Sequence, residues 1–324
     1  MSEHPHASRR TFLRNSTTAL AGCAMAKMAT AEIALNADAI EPVIDIHQHT
    51  NYSGRTDAQM LAHQKKMGIT RTILLPAGIP VELATTHNGQ SNGLAARIWG
   101  NSSAYRLVRA FPDVYSYFAN EVPDVPGAVK EIEKHLNLGA IGIGEQKFNI
   151  EIDAKPMHEI FALAQAYRVP VLIHFQHGMY NHGLDRFHKI LEKYPDVSFI
   201  GHAQTWWGNI DKNHVQTELY PKTPVTPGGI SDRLLADYPN MFGDLSAGSG
   251  LNALTRDEEH AAAFIERHQD KLFYGSDCND AVGTGDACSG AGALAAVRRL
   301  ASSHEVERKV LFENARRVIF RDKI

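Results

Sequence analysis

Val43-Ile44-Asp45-Ile46-His47-Gln48-His49 is the stretch on which the reading of this chain turns. It is a short apolar run that ends in two imidazoles one residue apart. Strand side chains repeat every two residues, so a strand here would project Asp45, His47 and His49 from one face. Imidazoles so placed can grip a single cation with little backbone adjustment. The spacing is weak taken alone, because the chain carries 17 histidines. It gains weight from later apolar runs that also close on polar donors: Ile141-Gly142-Ile143-Gly144-Glu145-Gln146-Lys147, Pro170-Val171-Leu172-Ile173-His174, Phe199-Ile200-Gly201-His202 and Phe273-Tyr274-Gly275-Ser276-Asp277.

Around these runs the pattern alternates. Strands are expected at residues 43–47, 71–75, 115–119, 140–145, 171–174, 198–202, 241–244 and 272–275. Amphipathic helical patterns lie between them, at 58–67, 126–138, 156–167, 184–193 and 257–268. This order argues for parallel β/α units closing into a distorted (β/α)8 TIM barrel, with a doubly wound open sheet as the structural rival. Parallel barrel strands are buried on both faces, which accounts for continuous runs such as Val171-Leu172-Ile173. Two connections exceed tight turns. One, 76–100, holds Thr86-His87-Asn88-Gly89-Gln90-Ser91-Asn92-Gly93; the other, 203–229, holds Trp206-Trp207 and a Pro-rich end. Both follow strand ends, at the face where barrel sites are built, and are expected to wall a substrate.

The 324 residues and 44% apolar content suit one barrel domain at 41–324 behind a leader at 1–40. The formal charge of −3, with no Lys/Arg run beyond the leader, argues against nucleic acid as a partner. No run approaches the ~20 apolar residues of a transmembrane helix. Ser8-Arg9-Arg10-Thr11-Phe12-Leu13 resembles a twin-arginine export signal, and a small-residue stretch follows it. That signal implies export of an already folded chain to the periplasm. Leu20-Ala21-Gly22-Cys23 resembles a lipoprotein cleavage box, which would make Cys23 a lipid anchor and the protein a membrane-anchored lipoprotein. Cys278 and Cys288 stand ten residues apart in a Gly-rich loop. They are compatible with a disulfide in an oxidising compartment, and two free thiols are the preferred reading.

Imidazole nitrogens and a carboxylate suit Zn²⁺ or another first-row dication, and an open position beside such an ion holds a water whose pKa falls to about 7. With these motifs in hand, the chain resembles the metal-dependent amidohydrolase superfamily, in particular the amidohydrolase-related branch that includes aminocarboxymuconate-semialdehyde decarboxylase and related hydrolases. The resemblance runs from about Val43 to the C-terminus. It follows the order HxH, a strand-four acid or lysine, His, His, then Asp, and takes in the tail Val310-Leu311-Phe312-Glu313-Asn314-Ala315-Arg316-Arg317, similar to the branch's closing helix. It implies that His47, His49, His174 and Asp277 hold the metal, zinc first and manganese as the alternative, with His202 a nearby acid/base or electrostatic group. Strand four departs from the pattern. Glu145 and Lys147 fall on one face, and a ligating Glu145, or a carboxylated Lys147 bridging two ions, would make the site binuclear. The branch generally uses one metal, and one ion is the preferred reading.

Other residues are given plainer roles. Asp45, deeper in strand one, is expected to orient a ligand or pair with a neighbouring strand. Asp244 and Ser246 read as helix caps, His177 and His182 as surface loop residues, and Trp206 and Trp207 as either substrate wall or loop packing. The activity implied is hydrolysis of an amide, lactone or ester in a small molecule by metal-bound hydroxide, with His202 steadying charge and Asp277 shuttling a proton. Non-oxidative decarboxylation of an unsaturated or aromatic acid would use the same ligands and is the enzymatic alternative. A non-catalytic exported binding protein on the same scaffold is the alternative from another class. A homo-oligomer is compatible with each. Changing Arg9→Lys and Arg10→Lys together is expected to stop export, and fractionation that still finds this variant outside the inner membrane discredits the signal.

Overall fold

The computed structural model describes residues 41–78 and 98–324. The export signal, Cys23 and the segment 86–93 expected from the sequence lie outside them. The strands are β1 Ile44–Gln48, β2 Arg71–Leu74, β3 Tyr115–Tyr117, β4 Ile143–Gln146, β5 Val171–His174, β6 Phe199–His202, β7 Met241–Asp244 and β8 Leu272–Phe273. The helices are α1 Asp57–Lys66, α2 Asn101–Ala110, α3 Ala128–Asn137, α4 Lys155–Tyr167, α5 His188–Lys193, α6 Gln204–Gly208, α7 Ile230–Asp237, α8 Ala247–Thr255, α9 Glu258–His268, α10 Ser289–Leu300, α11 His304–Arg308 and α12 Asn314–Val318.

All strand pairs are parallel, in two sheets of order β1-β2-β3 and β4-β5-β6-β7-β8. Backbone hydrogen bonds join the sheets at both seams. Ala119 N–H donates to Gly142 O and Gly144 N–H to Ala119 O, each at 2.9 Å; across the other seam Ile46 N–H donates to Tyr274 O at 3.1 Å. The strands therefore run in sequence order around a (β/α)8 barrel-like wall whose ladder is interrupted twice, and the doubly wound alternative falls.

Alternation sorts the wall into two apolar layers. Ile44, Ile46, Ile73, Phe118, Leu172, Ile200, Phe242 and Phe273 point inward and form one buried cluster, which Ala315 of α12 and Ile319 and Phe320 just after it join. Their neighbours Val43, Leu74, Tyr117, Val171, Ile173, Phe199, Met241 and Leu272 point outward and pack under the helices. A packed interior leaves only the strand ends free for chemistry. On β5, β6 and β7 the inward positions after Leu172, Ile200 and Phe242 are His174, His202 and Asp244.

β1 departs from strict alternation. Asp45 pairs with Thr72 but Gln48 pairs with Leu74, so one extra residue is inserted. Such a bulge re-aims the side chains beyond it. Asp45 consequently does not share a face with His47 and His49, as alternation had suggested. It faces α1, accepting from Gln64 Nε2 at 2.7 Å and from the Ser276 backbone N–H at 2.8 Å. Its expected structural role stands.

The 203–229 connection begins with α6, and here the substrate-wall reading of Trp206 and Trp207 gives way to packing. Both indoles are buried in the outer core. Trp206 covers Gly201 so closely that a Cβ there would fall inside its ring, and Trp207 Nε1 donates to Asp244 O at 2.8 Å. Trp206→Ala is expected to cost about 3–5 kcal/mol of stability, the usual range for emptying a large core site. Denaturant unfolding measures this, and a loss under about 1 kcal/mol would mean that the indole is not core.

Candidate metal centre

Six strand ends meet at the mouth. The bulge in β1 turns His47 and His49 inward, and their Nε2 atoms come 3.2 Å apart. His47 Nδ1 lies 2.7 Å from Asp244 Oδ2, and His49 Nδ1 lies 2.6 Å from Leu75 O. Both partners are acceptors, so each ring holds a proton on Nδ1 and leaves Nε2 as the atom that can ligate. Carboxylates surround this pair. Glu145 Oε2 is 3.6 and 3.5 Å from the two Nε2 atoms, and Asp277 Oδ1 is 3.8 and 3.3 Å from them. Asp277 adopts φ +39°, in the left-handed region that non-glycine residues seldom occupy, while its N–H donates to His47 O at 2.8 Å.

His202 Nε2 approaches Glu145 Oε1 at 3.7 Å and Asp277 Oδ2 at 3.6 Å. Its Nδ1 faces Ser246 Oγ at 3.0 Å and Asp244 Oδ2 at 3.2 Å. His174 stands one contact back: Nδ1 is 2.6 Å from Glu145 Oε1 and Nε2 is 3.1 Å from Gln176 Oε1. Lys147 Nζ lies 5.6 Å from the Tyr180 ring centroid. His177 is exposed and His182 half-buried.

This arrangement fits a cation. His47, His49 and Asp277 can offer one donor atom each to a common point, and so can His47, Glu145 and His202. Ligands held at about 2.0–2.2 Å from one ion must lie a little over 3 Å from one another, which is the spacing seen. Asp277 Oδ1 and His202 Nε2 are buried without a hydrogen-bond partner, a costly state for atoms that have no other use. The charges agree. Burial alone would raise the Asp277 carboxyl, but His47, His202 and His49 hold it well below the usual range. Burial likewise opposes ionisation of Glu145, and Lys147, His174 and His47 overcome it. Asp244, between His47 and His202, is held at about 2. Ionised Glu145, Asp244 and Asp277 thus gather around the imidazoles beside one ammonium, Lys147, an anionic setting that favours a cation.

Asp244 and Ser246 are the residues that sequence reading undervalued. Ser246 makes no helix-capping hydrogen bond, and its Oγ instead donates to Asp244 Oδ2 at 2.7 Å. Asp244 supports two imidazoles at once, and the available signal was its inward register on β7, two residues after Phe242. Asp244→Ala is expected to weaken metal binding by about 10–100-fold, as loss of an orienting carboxylate does. Titration against a competing chelator reads this, and unchanged affinity would remove Asp244 from the support of His47.

A protein-family model described as Amidohydrolase matches residues 44–321. A search of curated proteins returns no match. Among solved structures, the chain is similar to an uncharacterized TIM-barrel protein from Bordetella bronchiseptica, with TM-score 0.59, 14% identity, and 86% of this chain and 98% of that one covered. It is similar to a probable 2-pyrone-4,6-dicarboxylic acid hydrolase from Acinetobacter baumannii, with TM-score 0.53, 12% identity and coverage of 86% and 99%. It is also similar to a 5-carboxyvanillate decarboxylase from Novosphingobium aromaticivorans, complexed with manganese and a nitrobenzoic acid, with TM-score 0.51, 16% identity and coverage of 81% and 79%. At these identities the likeness is one of fold.

Proposed function

The chain belongs to the amidohydrolase family, and on that premise we propose that it is a metal-dependent hydrolase of a carbonyl-containing small molecule, an amide, lactone or ester. The observation that carries the reading is the placement of Asp277. One of its oxygens faces the His47–His49 pair and the other faces His202. A single carboxylate thereby touches both the donor group and the residue best placed to handle a proton. One dication, zinc or manganese, would be held by His47, His49 and Asp277, with Glu145 completing the set and His174 orienting Glu145. When bound, it supplies a Lewis acid that polarises a carbonyl and makes water a nucleophile near neutral pH.

The chain's own groups do the rest. Asp277 takes the proton of the attacking water and delivers it to the leaving nitrogen or oxygen. His202, anchored through Nδ1, presents Nε2 to the carbonyl oxygen as it gains charge. Burial and His47 disfavour its protonation, but Asp244 and Asp277 outweigh them and raise it above the ordinary imidazole value, so Nε2–H is available to donate. Lys147 offers a fixed cation to a substrate carboxylate. A cavity of about 430 Å³ lies next to the mouth's edge at Gln176, the partner of His174, and is lined by His177, Asn181, His182 and Thr205, among others, but by none of the residues that would hold the metal. The leader read from the sequence would deliver the enzyme to the periplasm.

Decarboxylation of an aromatic or unsaturated acid is the second reading. It draws on the free, inward-aimed Nε2 of His202, which could protonate a carbon after carbon dioxide leaves. Metal-loaded protein is to be assayed against lactones, amides, esters and aryl acids beside a chelated control. Metal-dependent hydrolysis supports the first reading, carbon dioxide release replaces it with the second, and no metal-dependent turnover overturns both. His202→Asn is expected to keep the metal and lower kcat by about 10²-fold or more. Loss of metal in this variant would make His202 a ligand instead.

A further inference from the structure

A second set of soft donors gathers outside the barrel wall. His63 comes from α1, Cys278 from the segment after β8, and Cys288 from the N-cap of α10; all three are buried. The two Sγ atoms are 3.5 Å apart, and His63 Nε2 is 3.2 Å from Cys288 Sγ. Asp280 Oδ2 lies 3.8 Å from the same Nε2, held there by the N–H groups of Val282 and Gly283 at 3.0 and 2.7 Å. In a tetrahedral zinc site with Zn–S of about 2.3 Å and Zn–N of about 2.0 Å, neighbouring donors lie roughly 3.3–3.8 Å apart, close to the separations here.

The surroundings prepare these atoms as ligands. His63 Nδ1 sits 3.1 Å from Gln64 Oε1, and Gln64 Nε2 is itself committed to Asp45 and Thr72. The ring proton therefore sits on Nδ1, and Nε2 turns its lone pair to the sulfurs. Backbone N–H groups of Asp280 and Ala291 donate to Cys278 and Cys288 Sγ at 3.4 and 3.3 Å and fix the direction of the two sulfurs. The Arg55 guanidinium donates to Asp280 O at 2.8 Å. Two thiolates then balance one dication. A disulfide has no need of an imidazole turned toward the sulfurs.

We propose that His63, Cys278 and Cys288 form a second metal site, structural in role, that takes a soft dication such as zinc. Binding releases the two thiol protons to solvent and requires no oxidant. The site ties the segment after β8 and the start of α10 to α1. Asp277 immediately precedes Cys278, and Gln48 Nε2 donates to Cys278 O at 3.0 Å, so the tie also steadies the segment that carries Asp277. This goes beyond the hydrolase reading and does not depend on it.

The test uses full-length protein, stripped of metal and titrated with Co²⁺. The expected result is thiolate-to-cobalt charge-transfer absorption saturating at one ion per chain, which a site of imidazoles and carboxylates cannot produce. His49→Ala is expected to retain the band, while Cys288→Ser loses it together with one equivalent of bound metal. Absence of the band in the wild-type protein with all three thiols, Cys23 included, titratable overturns the proposal. So does an intact mass lower by two hydrogens, which would mean that Cys278 and Cys288 are joined. Because the wild-type band decides the matter, misfolding of a variant leaves the test intact.

Discussion

Two imidazole Nε2 atoms and two carboxylates face one another across little more than 3 Å at the mouth of the barrel. In a buried place that arrangement is repulsive unless positive charge sits among the atoms. Protonating His47 relieves part of it, and the structure pushes His47 well above its ordinary value, with Asp277 and Asp244 overcoming the effect of burial. A dication relieves it more completely, because it satisfies several lone pairs at once. Much of the surrounding structure serves to hold these atoms where they are: the bulge in β1, the left-handed backbone at Asp277, Leu75 O under His49, and Asp244 under both His47 and His202.

The barrel supplies the rigidity this needs. Its inner layer is filled by large apolar side chains and joined at one end by residues of α12 and just after it, so it is a packed core and not a channel. Donors can then project only from the strand ends, and each stands on a strand hydrogen-bonded to its neighbours. The outer layer, under the helices, holds the same strands from the other side. The buried Asp45 ties β1, α1 and the segment after β8 together, and the cysteine–histidine cluster lies on that same junction.

Much of the fold was legible in the sequence. The eight apolar runs are the eight strands, with bounds that differ by a few residues, because parallel strands buried on both faces leave a continuous hydrophobic record. α2, α6, α7, α10 and α11 were not among the helical patterns read, and α8 was anticipated only through its expected caps. α8 and α10 are built largely of Gly, Ala, Ser and Leu, and such small residues show little amphipathic contrast. The site was legible where residue type and strand-end position coincide: His47, His49, Glu145, His202 and Asp277 all meet. His174 is drawn in through Glu145. What the sequence concealed was register. A bulge cannot be read from an alternating pattern, so Asp45 was put on the wrong face. Asp244 was read as a cap because an Asp followed by Ser two residues on is a common helix start. The indoles of α6 could not be assigned until their contacts with Gly201 and Asp244 were visible.

Anomalous diffraction from crystals of the metal-loaded protein tests the central claim most directly. The account predicts a peak about 2.0–2.2 Å from His47 Nε2, His49 Nε2 and a carboxylate oxygen of Asp277. A fully loaded crystal with no anomalous peak among those three side chains would contradict it.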